Sequence, residues 1–194
     1  DDGWRLSPII QKHTRPASGD AARKTLHRSP PSEVKVDRKQ PMISIAQILK
    51  PEHIHLSLKG ENQLDAVQEV LFSLRGDVRV PAWEDLRTSV IQRNAPAVAA
   101  GGCGVVIAHG RTNAVNALVM GAGRLSEGFH SDDIPEKVRF VFVAGIPTAF
   151  NNEYLRVVGS IARLCSRPDL LNELIATSTP RSFLEILASA ELKL

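Results

Sequence analysis

Three apolar runs govern what this 194-residue chain can fold into: GVVIA (104–108), NALVMGA (116–122) and VRFVFVAGI (138–146). Polar and apolar residues do not alternate in them, so strands built from them must be covered on both faces. Cover of that kind comes from helices, and amphipathic segments stand on either side of the runs. In ENQLDAVQEVLFSLRG, residues Leu64, Val67, Val70, Leu71 and Leu74 fall on one helical face that Gly76 closes. WEDLRTSVIQR repeats the spacing through Trp83, Leu86 and Val90, and NNEYLRVVGSIARLC turns Leu155, Val158, Ile161, Ala162 and Cys165 inward. Two shorter helices follow, the second opened by Thr179 and Pro180, a cap and first-turn pair. Ahead of all these, ISIAQILK is expected to form a short helix stopped by Pro51, and HIHLSL alternates as a strand does. The order is helix, strand, two helices, three strands, three helices. That order describes an α/β domain, a small sheet with helices on both faces.

The N-terminal forty residues do not join this pattern. QKHTRPASGDAARKTLHRSPPSEVKVDRKQP mixes Pro, Ser, Lys and Arg without apolar periodicity and cannot bury enough surface to offset its ordering entropy. Residues 1–40 are therefore expected to be a basic linker or tail, with the folded domain over 41–194. The charge divides the same way. Residues 1–40 carry nine Lys/Arg against five Asp/Glu, and the remainder carries fifteen against sixteen. The body is nearly neutral, and with one Tyr and two Trp in the whole chain it lacks the clustered basic face with interleaved aromatics of a nucleic-acid-binding domain. No apolar run reaches membrane-spanning length, and residues 1–20 lack the apolar core of a signal peptide. Cys103 and Cys165 stand far apart with no CxxC, which argues against a disulfide framework or a structural zinc site and for a reducing, cytoplasmic compartment. No cofactor is expected.

Several familiar sites are absent. GGCG lacks the Lys-Ser/Thr of a phosphate-binding P-loop, GAGRLSEG spaces its glycines wrongly for a dinucleotide fingerprint, and no G-x-S-x-G elbow occurs. His53 and His55 share a strand face by period two, a spacing that can place two imidazoles on a metal, but no third ligand lies nearby and half-exposed strand residues are the plainer reading. Cys103 reads as a small packing residue, and His130, in a loop beside Asp132 and Asp133, as a solvated one. His109 is different. GVVIA delivers it to the end of a strand, Gly110 permits close approach of a partner or phosphate, and Arg93 and Arg111 bracket the strand. A neutral imidazole is a nucleophile able to take a phosphoryl group and pass it on. Guanidinium groups grip phosphate oxygens in a bidentate fork, and the amides of Gly101, Gly102 and Gly110 can add an anion nest.

These residues resemble a known family, the fructose/mannitol-type EIIA domain of the phosphoenolpyruvate-dependent sugar phosphotransferase system, with its nitrogen-regulatory relatives. The family's L-x-P-x-x-I segment is matched by ILKPEHIHLSL, and its first long helix by NQLDAVQEVLFSL. Its Arg-Glu pair and its G-I-A-I-P-H-G/C-R strand are matched by VIQRN and GVVIAHGR. A strand ending in Pro is matched by VRFVFVAGIP, and the H-L-x-x-L-x-x-I-A helix by NNEYLRVVGSIARL. The likeness runs over roughly residues 42–190 in the family's order. It implies a small mixed β-sheet flanked by helices. It further implies that His109 accepts a phosphoryl group on Nε2 from a small phosphocarrier protein, that Arg93 steadies the phosphate, and that an EIIB domain or a regulatory target is the next partner.

Three departures qualify what the resemblance implies. Tyr154 stands where the family has a second His that contacts the phosphoryl group; it can donate one hydrogen bond but brings no positive charge. Asn94 replaces a Glu after the Arg, and Ala108 replaces a Pro before the nucleophile. Loss of one well-placed donor predicts transfer slowed roughly a hundredfold or more, with the nucleophile and one Arg retained. The alternative is an EIIA-like regulatory or binding module without transfer activity, such as the cytosolic part of a transporter; the basic tail and the absent initiator Met lean towards a module detached from a larger protein.

Overall fold

The structure, a computed structural model, describes residues 43–92, 104–131, 134–150 and 152–193, all within the compact unit Gln40–Leu194. The expected tail over 1–40 lies outside the described residues. Among the described residues the element order is that read from the sequence: α1 (Ile45–Ile48), β1 (Leu49–Leu58), α2 (Gln63–Phe72), α3 (Trp83–Gln92), β2 (Val105–Arg111), β3 (Val119–Ser131), β4 (Ile134–Ile146), α4 (Asn152–Cys165), α5 (Pro168–Ala176) and α6 (Pro180–Glu191). The strands form one sheet in the order β1-β3-β4-β2. β1 is parallel to β3, β3 antiparallel to β4, and β2 parallel to β4, so the sheet is mixed and both β1 and β2 are edges.

Two apolar clusters cover the sheet. On one face Val106, Val119, Val141 and Val143 pack against Val67, Val70 and Leu71 of α2 and Leu86 and Val90 of α3. On the other, Val105, Ile107, Phe140 and Phe142 pack against Ile45 of α1 and residues of α4, α5 and α6, among them Ile161, Leu174 and Phe183. The three apolar runs feed both clusters in alternation, which is why they carry no polar face.

The helix ends follow their local chemistry. Asn62 accepts the Asp65 amide at 3.0 Å and Thr179 accepts the Ser182 amide at 3.1 Å, each satisfying one orphan N–H of a first turn. Gly76 closes the segment after α2 with φ +91°, a conformation suited to glycine. Arg124 on β3 donates from Nη1 to the carbonyls of Leu174, Ile175 and Thr177, and from Nε to Leu56. Its counter-charge is thus the negative end of α5 rather than a carboxylate. Burial, together with the nearby Arg139, lowers its pKa from the ordinary arginine value.

Four local expectations need correction. Pro51 does not stop a helix running to Lys50, since α1 ends at Ile48 and β1 begins at Leu49 and passes through Pro51. β1 is an edge with an irregular register between Leu49 and Ile54, where a residue without an N–H is tolerated. Leu64 is 40% exposed, although Val67, Val70, Leu71 and Leu74 of the same predicted face are buried. On α4, Leu155 is 66% exposed and the inward stripe is Val157, Ile161, Leu164 and Cys165. Ile161 and Cys165 are buried as expected and Val158 and Ala162 pack partly buried against the same core, so of the expected inward residues Leu155 alone faces solvent. Finally, β3 runs to Ser131, carrying His130 on an exposed strand position rather than in a loop.

Candidate functional site

His109 lies on edge strand β2, paired with Ala144 of β4. Ala144 also pairs with Met120 of β3, and Met120 with Leu49 of β1, so one row crosses the sheet from His109 to the start of β1. The imidazole residue is half-buried, between buried Ile107 and Gly110 and exposed Arg111. Strand alternation puts it on the face of Val105 and Ile107, the face that α4, α5 and α6 cover.

Gly110 points the other way. A Cβ there would lie 2.9 Å from Ser89 Oγ, 2.9 Å from Val90 Cγ2 and 3.0 Å from the Val90 amide nitrogen. On this side the missing Cβ makes room for the protein's own helix α3. It brings the last turn of α3 against the strand that carries His109. Ser89 Oγ also donates to the Arg111 carbonyl at 3.4 Å, and an open depression of about 450 Å³ is lined by Asp85, Thr88, Ser89 and Gln92. Arg111 is exposed and donates from Nη2 to the Thr148 carbonyl in the β4–α4 connection. The Thr148 hydroxyl in turn bonds Asn113.

The loop after Arg111 is fixed at successive points. The Thr112 amide donates to Ile146, the Ala114 amide to Thr112 Oγ1, the Ala82 amide to Ala114, and the Asn116 amide to Arg79. Arg79 belongs to a cluster that sequence reasoning missed. The Asp77 carboxylate has no exposed surface and accepts from Arg79 at 2.9 and 2.8 Å, from His53 Nε2 at 2.8 Å and from Lys50 at 3.0 Å. Arg79 Nη1 reaches on to the carbonyls of Ile48 and Leu118, at the starts of β1 and β3. The Arg79 guanidinium holds the Asp77 carboxyl well below the usual carboxylate range, against burial and with help from His53 and Lys50. The cluster sits at the same end of the sheet as His109, three strand spacings or roughly 14 Å away along the row. The available signal was the acidic–basic pair in GDVRV between two helices, too short a motif to distinguish from a solvated turn.

His53 and His55 do not form a metal pair. His53 is buried on Asp77, with Nδ1 unpartnered, whereas His55 is exposed. Among the described residues no group of three potential ligands exists, and no helix is long and apolar enough to cross a membrane. Arg93, Asn94, Gly101, Gly102 and Cys103 lie outside the described residues. Tyr154 falls in the first turn of α4, with its side chain likewise outside the description.

The mixed four-stranded sheet and its flanking helices have the fold of EIIA-type domains. Residues 47–190 match the family described as phosphoenolpyruvate-dependent sugar phosphotransferase system, EIIA 2, and the chain belongs to that family. A curated relative, the fructose-specific EIIA component of the phosphotransferase system of Haloferax volcanii, is 24% identical over 122 residues, covering 62% of this chain and 79% of the relative. Among solved structures, the nitrogen regulatory protein IIA-Ntr of Neisseria meningitidis superposes with TM-score 0.64 at 22% identity, covering 74% of this chain and 98% of that one. Enzyme IIA of the mannitol system of Escherichia coli, in complex with phosphorylated enzyme IIB, superposes with TM-score 0.59 at 19% identity, covering 73% and 99%. Family and fold together assign the chain a phosphotransfer or regulatory EIIA role.

Proposed function

We propose that His109 is the phospho-acceptor of an EIIA phosphotransfer domain spanning residues 41–194, working in the cytoplasm with 1–40 as a linker. The observation that carries this reading is the position of His109, half-buried on an edge strand inside the family match and in line with the family's histidine motif. The donor is a small phosphocarrier protein bearing a phosphohistidine. The Nε2 lone pair of His109 forms a new N–P bond as the carrier's N–P bond breaks. Each ring keeps the proton on its other nitrogen, so charge and protons balance. Arg93 follows Gln92, the last residue of α3, by one peptide bond, and Arg111 follows Gly110 on β2. Both guanidinium groups are assigned to the phosphate oxygens and to docking of the carrier. The phosphoryl group then passes to an EIIB domain, the partner in the mannitol relative's complex, or serves as a regulatory signal.

A second reading is favoured by Tyr154, which stands in the place of the family's second His: a module that binds a partner without transfer. Incubation with phosphoenolpyruvate, the general phosphotransferase enzyme and its phosphocarrier separates the two. Acid-labile label on the wild type and none on His109→Ala supports transfer, whereas an unlabelled wild type with every carrier tried supports the binding module.

A further inference from the structure

We propose that Asn113 and Thr148 are positioning residues that seat the Arg111 guanidinium for the incoming phosphoryl group, a role that rests on the reading of His109 as phospho-acceptor. Strand geometry puts the cation and the imidazole on one face. His109 and Arg111 stand two residues apart on β2, paired with Ala144 and Ile146 of β4. Their side chains therefore leave the same face of the edge strand, about 7 Å apart at the backbone. Arg111 is exposed, and no carboxylate lies within ion-pair distance of it among the described residues. An exposed arginine without an anion ordinarily keeps its full rotamer freedom. This one is held, because its Nη2 donates to the Thr148 carbonyl. That bond uses one of five N–H groups, so a forked edge is left over for phosphate oxygens.

The seat is closed on itself. β2 and β4 run parallel, so the chain leaves both strands at the same end. There the Thr112 amide donates to the Ile146 carbonyl at 2.9 Å, and the Thr148 hydroxyl donates to Asn113 Oδ1. With the Arg111–Thr148 bond these form a ring through residues 111–113 and 146–148. Thr148 thus presents its carbonyl to Arg111 and its hydroxyl to Asn113 in a single orientation. Both Asn113 and Thr148 are exposed and stand outside the two apolar clusters, and the backbone bond from Thr112 already joins the strand ends. What the side-chain bond adds is a fixed direction for the Thr148 carbonyl, and so a fixed place for the cation. A donor already in place stabilises a transition state more than one that has to be ordered first. Tyr154 brings no positive charge where the family has a second His, which leaves a larger share to Arg111.

Initial rates of acid-labile labelling of the full chain by the phosphorylated phosphocarrier test this role. Thr148→Val keeps the shape and the carbonyl but removes the hydroxyl, and Asn113→Ala removes the acceptor. Each is expected to lower the second-order labelling rate constant about tenfold, whereas Thr148→Ser, which keeps the hydroxyl, stays within about twofold of wild type. Arg111→Ala is expected to lose at least as much as Thr148→Val. Adding Thr148→Val to Arg111→Ala is expected to cost nothing further, since no guanidinium is left to seat. The heteronuclear NOE of the Arg111 Nε–H gives a readout separate from transfer: rigid in wild type and Thr148→Ser, mobile in Thr148→Val and Asn113→Ala. Thermal midpoints verify that each variant is folded. The positioning role alone is overturned if the wild type takes label and Thr148→Val labels equally fast. The same holds if Thr148→Val is as costly without Arg111 as with it, or if Thr148→Ser is as slow as Thr148→Val. A wild type that takes no label from any carrier overturns the reading of His109, and this role with it.

Discussion

Gly110 and Val90 are packed so closely that a single added methyl group on the glycine would lie 2.9 Å from Val90 Cγ2 and 3.0 Å from its backbone nitrogen. The first of these neighbours can rotate, but the second is helix backbone. Gly110→Ala therefore pushes the last turn of α3 away from β2, at a cost of about 1–3 kcal/mol. Because Arg93 follows directly on α3, the displacement is expected to slow labelling of His109 as well. Urea denaturation and initial labelling rates check the two effects. A variant with wild-type stability would show that α3 moves freely on the strand.

Removing the Asp77 carboxylate tests the cluster at the same end of the sheet. Asp77→Asn leaves half-buried Arg79, buried His53 and the adjoining Lys50 without their anion, and loss of a buried charged partner costs up to about 3–5 kcal/mol at neutral pH. The sign of the pH dependence follows from the lowered pKa. The ionised carboxylate is favoured in the folded state, so its contribution is complete above the unfolded value near about 4 and declines as pH falls below it. The gap in stability between wild type and Asp77→Asn is thus expected to narrow from about pH 5 to about pH 2. Chemical denaturation at a series of pH values measures it, and a gap independent of pH would remove the electrostatic account.

How much of this was legible in the sequence depended on the range of the interaction. The strands of the three apolar runs, the Thr179–Pro180 start of α6 and the Gly76 stop are set by residues adjacent in sequence, and each was readable. The inward face of α4 was readable in part: Ile161 and Cys165 are buried and Val158 and Ala162 pack against the core, but only packing against Ile45, Phe140 and their neighbours turns Val157 and Leu164 inward and leaves Leu155 out. His53 had the same difficulty. Its burial comes from Asp77, twenty-four residues away, which no local pattern announces. His109 stood out because a polar ring ending an apolar run is locally anomalous, and the family motif around it supplied its role. Gly110 shows its need for an absent side chain in the sequence, but the neighbour that demands it, the last turn of α3, is set by packing across twenty residues of chain.

The carboxylate of Glu191 accepts the Ile45 amide at 2.8 Å and so ties the end of α6 to the start of α1. Burial raises its pKa, with the bond from Ile45 acting in the opposite sense. A raised value means the folded state prefers the protonated form, so stability declines as pH rises from the ordinary glutamate range through the raised pKa. Glu191→Gln keeps an acceptor oxygen while removing the charge, and its thermal midpoint at neutral pH is expected to equal or exceed that of the wild type. Glu191→Ala leaves the Ile45 amide without its partner and is expected to lose about 1 kcal/mol. If Gln proves as damaging as Ala at neutral pH, the charge itself is needed and the burial argument fails.

Tyr154 offers the sharpest test of the proposed transfer. The phosphoryl group carries its negative charge between two nucleophiles, and fixed donors lower that barrier in proportion to the charge they meet. A phenol supplies one neutral donor, whereas an imidazole at the same place supplies a donor that can also be cationic. Tyr154→His is therefore expected to raise the initial rate of acid-labile labelling by up to about a hundredfold, the usual worth of one well-placed donor. Tyr154→Phe, which lacks the hydroxyl, is expected to be slower than wild type if that hydroxyl already contributes. Rapid-quench measurement at saturating phosphocarrier isolates the chemical step from docking. A Tyr154→His rate equal to or below that of the wild type would mean that position 154 does not limit transfer, and the explanation of slow chemistry would then shift to Asn94 and Ala108.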